Sequence, residues 1–239
     1  MNFYKLAKPD GWDFYTGNTI NYRNNIGKTV ACPNYNRKGK LCSQAFIHAS
    51  REPNQCFMGA KIPCSAYLVS GKPIKEDSNK CGFKRLKVVE ELKPEELFKW
   101  RYLEVINPIN PIKIHAPEIT DKHIYFLNKW DSVGYSVWYS VRDSVRASVW
   151  YSVGYSVGAS VWYSVWDSVR ASVRDSVGYS VWAYIGYIFQ PAVPKWQKEY
   201  PYQCYVDLFK EGFIPVFIDD KKYLWSKDRG LERIKGGLK

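Results

Sequence analysis

Residues 131–182 read DSVG YSVW YSVR DSVR ASVW YSVG YSVG ASVW YSVW DSVR ASVR DSVG YSVW, thirteen tetrapeptides without a break. Ser holds the second place and Val the third in every one. The first place is only Asp, Tyr or Ala, and the fourth only Gly, Trp or Arg. Each set can be linked by single-nucleotide changes (GAT, TAT, GCT; GGG, TGG, AGG), which describes a short tandem array that expanded and then drifted. A longer period lies over it. Residues 131–154 align with 155–178 without gaps and differ at five positions, 131/155, 135/159, 142/166, 150/174 and 151/175.

Two conformations compete for such a repeat. In a strand, alternation puts Val and the Asp/Tyr/Ala place on one face, with Ser and the Gly/Trp/Arg place on the other. Val, Trp and Tyr favour strands. A β-solenoid would then stack Val inside, but Asp131, Asp143, Asp167 and Asp175 would share that inner face, where an unpaired charge is costly. In a helix, four residues advance about 400°, so the Val stripe drifts by about 40° per tetrapeptide. One straight helix over the array would run about 80 Å, so a bent-back hairpin is the more reasonable form. Gly154 and Gly158 sit mid-array, where a reversal would fall. The flanks favour the helix. Thr120 is a plausible N-cap followed by Asp121 and an apolar run from Ile124 to Leu127, with no Gly or Pro before Trp130. Downstream, 182–189 carries the pattern out in apolar form until Pro191. The helical hairpin is therefore the expectation and the solenoid the alternative.

Outward from the array, the chain reads as α+β. A strand-rich N-terminal domain is expected over 1–106. Its strands are Phe3–Leu6, Trp12–Tyr15, Ala45–Ala49, Cys64–Val69 and Phe83–Leu92, and a short helix follows at Lys93–Trp100. Asn107–Pro111 opens a Pro/Asn linker over 107–116. The helix and array take 117–190. A small α/β cap takes 191–239, with a helix over Tyr205–Gly212, a hairpin from Ile214–Ile218 to Lys222–Trp225 turning at Asp219-Asp220, and a loose tail from Lys235.

Charge is uneven. The net +12 divides into +9 over 1–130 (21 Lys+Arg against 12 Asp+Glu), zero over the array, and +3 over 183–239 (ten against seven). A nucleic-acid partner would therefore use the basic N-terminal part, although no recognised binding motif occurs there. No stretch of about 18 apolar residues exists, so no transmembrane segment is expected. The start, Met1-Asn2-Phe3-Tyr4-Lys5, lacks the apolar stretch of an export signal. The expected setting is the cytoplasm of a host cell or a virion.

Several residues are candidates for chemistry. Cys32, Cys42, His48, Cys56, Cys64 and Cys81 are separated by 9, 5, 7, 7 and 16 residues. Zinc would be the ion for such a set, but no C-x(2–4)-C knuckle is present, and reduced, buried thiols without a cofactor are the reading preferred. Cys42 or Cys56 with His48 would make a nucleophile–base pair lacking an orienting Asn or Asp. Trp138, Trp150, Trp162 and Trp166, with Arg142, Arg146, Arg170 and Arg174, offer stacking and cation–π contacts to a base, a sugar or a protein.

The run Gly11-Trp12-Asp13-Phe14-Tyr15-Thr16-Gly17, then Leu41-Cys42, Phe46-Ile47-His48-Ala49-Ser50, Pro53-Asn54-Gln55-Cys56-Phe57, Ala66–Gly71 and Lys80–Leu92 resembles an uncharacterised domain of phage and prophage proteins. There the centre reads roughly C-x-x-G-F-H-x-C-x-N-P-x-x-x-F, and short tandem repeats commonly follow. This sequence departs in Ile47 before the His, in Ser50 at the second Cys, and in lacking Gly before Phe46. The resemblance implies a viral or mobile-element setting and brings no activity. A second likeness is to the His–Tyr–Glu layout of ADP-ribosyltransferases, carried by His48, Tyr67 and Glu90 or Glu91. It implies NAD as substrate, with His holding the ribose, Tyr stacking on nicotinamide and Glu stabilising the developing cation. The function expected is a non-enzymatic interaction or structural protein bearing an array of variable length, which binds a protein partner or itself. The alternatives are an NAD-using enzyme in the N-terminal domain, and nucleic-acid or carbohydrate binding by the Trp/Arg face.

Overall fold

The computed structural model describes residues 1–131, 137–148, 174–218 and 221–234. The chain is α+β, and it divides into two compact units, Met1–Lys99 and Trp100–Lys239.

The N-terminal unit is built from two antiparallel sheets. One has the order β1 (Asn2–Ala7), β4 (Ser65–Ser70), β7 (Arg85–Leu92), β2 (Thr29–Ala31); the other has the order β3 (Ile47–Ala49), β6 (Cys81–Phe83), β5 (Lys75–Glu76). Their inner faces share one core. Phe3, Tyr67, Val69, Leu86 and Val88 come from the first sheet, and Ile47, Ala49, Cys81 and Phe83 from the second. Phe3 meets Phe83 edge-on with ring centres 4.9 Å apart. The alternation around Leu86 and Val88 predicts one strand over Phe83–Leu92. Instead Lys84 separates the short strand Cys81–Phe83 from the longer Arg85–Leu92, and the two serve different sheets. The β4–β7 register shifts after Leu68, which faces Glu90 while Val69 faces Val88. Val89 is thus the extra residue of a bulge, and Glu91 is opposite Tyr67.

Trp12–Tyr15 is not a strand; Trp12 makes only an isolated bridge to Asn21. The reason is Asp13, whose carboxylate accepts the N–H groups of Tyr15 (2.8 Å) and Thr16 (3.0 Å). A short acidic side chain that takes local donors turns the backbone out of a ladder. Gly11 ahead of it has φ +88°, and a Cβ there would lie 2.9 Å from the Arg23 Cβ, so only glycine fits. After β7 comes the short helix α1, Pro94–Leu97.

The second unit holds α2 (Tyr102–Ile106), α3 (Asp121–Asp131), α4 (Val137–Ser148), α5 (Arg174–Phe189) and α6 (Gln203–Lys210). Its antiparallel sheet has the order β10 (Gly230–Arg233), β9 (Lys221–Ser226), β8 (Ile214–Ile218). The unit begins ahead of the Asn107–Pro111 connector because α5 claims residues 100–106. Trp100 packs on Phe189 at 5.6 Å, and the Arg101 N–H donates to the Ile188 carbonyl at 3.0 Å. The Arg101 guanidinium bonds the Tyr187 carbonyl and lies 3.9 Å from the Tyr187 ring centre. Residues 191–239 likewise do not stand apart as a cap: α5 packs on α6 and β8 within the one unit. Leu127 of α3 joins Leu208, Phe213 and Leu224 in a core cluster, and Trp130 stacks on Phe217 with ring centres 3.7 Å apart.

The described parts of the array are helical. α4 covers 137–148, α5 begins at Arg174 inside the last tetrapeptides, and the two pack together. The solenoid alternative is corrected for these stretches, and the physical reason is visible at Asp143. On the helix it is exposed, where a solenoid would have turned it inward beside Val. The expected reversal at Gly154 and Gly158, the hairpin turn at Asp219-Asp220 and the tail from Lys235 lie outside the described residues. Thr120 does precede the first residue of α3, but it works unlike an ordinary cap. Its backbone N–H donates to His123 Nδ1 at 2.9 Å. The other nitrogen of that buried ring, Nε2, bonds Glu211 Oε2 at 2.7 Å and so ties α3 to the end of α6.

Candidate functional site

In the N-terminal unit, β1, β3 and the 3₁₀ turn Pro53–Met58 surround a cavity of about 310 Å³ open to solvent. β1 contributes Lys5. By strand alternation Lys5 falls on the face of Phe3 and Ala7, and all three are buried. An ammonium there requires a partner. Asp13 supplies it at 2.6 Å, and Asp13 also accepts the Tyr22 hydroxyl at 3.0 Å. Burial alone would raise the Asp13 carboxyl. The Lys5 charge and hydrogen bond, with the Thr16 and Tyr15 N–H donors, outweigh burial and hold it well below the usual carboxylate range.

β3 contributes His48. Its Nε2 bonds the Leu41 carbonyl, and since a carbonyl only accepts, Nε2 carries the proton. Burial, reinforced by the charges of Lys5 and Lys80, pushes the imidazole pKa down, although the Leu41 bond opposes the shift. His48 is therefore a neutral ring at pH 7, with Tyr15 edge-on to it at 6.1 Å. The 3₁₀ turn contributes Cys56, whose thiol donates to the Tyr4 carbonyl at 3.1 Å and is pushed by burial up to about 11. Cys42, which is exposed, Ser50, Gln55 and Lys80 add to the polar lining, with Lys80 Nζ 3.6 Å from the Cys42 sulfur.

The cavity thus brings together His48, Cys42 and Cys56, three of the residues that the sequence marked. Cys56 is held as a thiol, and the partner of His48 is a backbone carbonyl, not an orienting carboxylate. Tyr67 and Glu90 do not line it. Tyr67 donates to Glu91 at 3.3 Å, Glu91 pairs with Arg23 at 2.7 Å, and the bulge sets Glu90 opposite Leu68. Of the other cysteines, Cys32, Cys64 and Cys81 are buried, and among the described residues no three His, Cys, Asp or Glu side chains gather as a metal site would require. Lys5, Lys80, Phe14 and Met58 were missed by sequence reasoning. The legible signal was Lys5 in an otherwise apolar strand, which asks for a buried partner.

The array offers a second surface. Val137, Val141, Val145 and Val181, all in the third place, are buried, as are Ser144 and Ser180 in the second. The drifting places are less buried: Tyr139 is 61% exposed and Asp143 is exposed, while Arg142, Gly178, Tyr179 and Trp182 are half-buried. Arg142 lies over the Tyr139 ring at 5.4 Å, with Nε 3.3 Å from Asp143. Of the remaining residues marked in the array, the side chains of Trp138, Arg146 and Arg174, and the whole of Trp150, Trp162, Trp166 and Arg170, lie outside the described residues. No helix among the described residues is long and apolar enough to cross a membrane. No family model, curated protein or solved structure matched the chain.

Proposed function

We propose that the chain is a non-enzymatic interaction protein, of the kind found in viruses and mobile elements, whose repeat array presents a recognition face to a protein partner or to a second copy. The observation that carries this reading is the division of labour within the tetrapeptide. Among the described residues the invariant third place is buried (Val137, Val141, Val145, Val181), whereas the drifting places are exposed at Tyr139 and Asp143 and half-buried at Arg142, Gly178, Tyr179 and Trp182. An array maintained as a scaffold keeps its packing residues and is free to change the residues it shows. Tyr and Arg on that face are the side chains that most often anchor protein interfaces.

The test pairs one inward with one outward substitution in the full chain. Val141→Ala removes buried apolar surface and should cost about 2 kcal/mol in thermal stability. Tyr139→Ala, at a residue 61% exposed, should change stability by less than about 0.5 kcal/mol. It should nonetheless weaken concentration-dependent association in sedimentation velocity, or recovery of a partner in pull-down. If Tyr139→Ala and removal of residues 155–178 both leave folding, assembly and all detectable binding unchanged, the array is filler and the reading fails.

A further inference from the structure

We infer that the cavity of the N-terminal unit binds a small anionic ligand with a flat apolar body, such as an aromatic carboxylate. Three observations carry this, independent of the array. Size comes first: about 310 Å³ is at the small end of ligand pockets, room for one ring and a short head group. The second is apolar surface left at the rim. Tyr15 and Met58 both line the cavity, yet they are 56% and 47% exposed, large hydrophobic side chains held open to water. The third is charge. Among the described residues the lining holds Lys5, Lys80 and His48 and no carboxylate. Asp13 neutralises Lys5, and the neutral imidazole adds no charge. Lys80 has the Cys42 sulfur 3.6 Å away and pairs with no carboxylate among the described residues, so it is the cation left to meet a ligand. The ring would lie against Tyr15 and Met58, with its anionic head at Lys80.

The experiment uses the full chain with benzoate as probe and benzyl alcohol, of similar size and uncharged, as comparison. Binding is read by calorimetry and by protection of Cys42 from iodoacetamide, located by mass spectrometry; Cys42 is the exposed thiol of the six. Benzoate should bind and slow labelling at Cys42, and benzyl alcohol should do so more weakly. Lys80→Met should weaken benzoate about tenfold, the loss of one charge-assisted contact, and leave benzyl alcohol unchanged. Lys61→Met, an exposed lysine outside the lining, should change neither. Failure of benzoate to bind, equal binding of both probes, or an equal effect of the two lysine substitutions would each overturn the inference.

Discussion

At the scale of single residues, the feature that most constrains the N-terminal unit is the buried Lys5–Asp13 pair with Tyr22. Removing the charge of one partner leaves the other buried alone, which typically costs about 3–5 kcal/mol. Asp13→Asn should therefore lower stability at neutral pH by an amount of that order. The acid dependence follows with a definite sign. Because the folded Asp13 carboxyl is held below its unfolded value, its contribution is complete above about pH 4, the ordinary carboxylate pKa, and is lost as pH falls toward the folded value. Thermal melts between pH 7 and pH 2 should fall away more gently for Asp13→Asn than for the natural chain. Parallel acid limbs would show that the pair does not govern acid unfolding. Such a pair was half legible. Lys5 lies in a stretch expected as a strand, where alternation would set it on the face of Phe3, but it was not marked as a buried cation; Asp13 had been read as part of a strand, and its turn is set by local hydrogen bonds to Tyr15 and Thr16.

At the scale of elements, α5 is the helix around which the second unit packs. Val181, Ala183, Tyr184, Ile185, Ile188 and Phe189 are buried, and the helix packs on α2, α4, α6 and β8. A helix apolar on nearly all sides belongs inside. Gly186 marks the tightest approach. A Cβ there would sit 3.0 Å from Val141 Cγ2 and run into the Tyr200 hydroxyl, which donates to the Ala183 carbonyl at 2.6 Å. Gly186→Ala would gain about 1 kcal/mol in helix propensity and lose about 1–3 kcal/mol to overpacking. The expected outcome is a lower melting temperature, partly restored by Tyr200→Phe in the double variant, which removes the colliding oxygen. A melting temperature raised by Gly186→Ala would mean that Tyr200 and Val141 do not approach α5 this closely. Helical α3, α5 and α6 were readable from caps, apolar runs and the Gly212 stop. The glycine contact was not, because it depends on which helix arrives beside it.

At the scale of the molecule, the two compact units divide between Lys99 and Trp100. Each has its own buried cluster, Phe3, Tyr67 and Phe83 in one and Leu127, Leu208 and Phe213 in the other. Substitutions in separate cores act independently when they share no partners. Hydrogen exchange on the full chain should then show Asp13→Asn speeding exchange of amides in 1–99, with protection in α5, α6 and β8 unchanged. Faster exchange throughout would mean that the units unfold as one.

What the sequence determined by itself was periodic or local. The array's strict Ser-Val places, its neutral charge, the α+β character, most strands of the N-terminal unit and the start of α3 after Thr120 follow from spacing, capping and turn chemistry over a few residues. Tertiary structure decided what depends on residues distant in the chain. It assigned Cys81–Phe83 and Arg85–Leu92 to different sheets, and it gave residues 100–106 to the second unit through Phe189 and Ile188. It also settled helix over strand in the described array, since four-residue spacing satisfies a Val stripe either way until something packs against it. The cavity was least legible of all. Its lining comes from β1, β3, the 3₁₀ turn and the separate loops that carry Phe14, Cys42 and Lys80, and only folding brings Lys5, His48, Cys42 and Lys80 to one space.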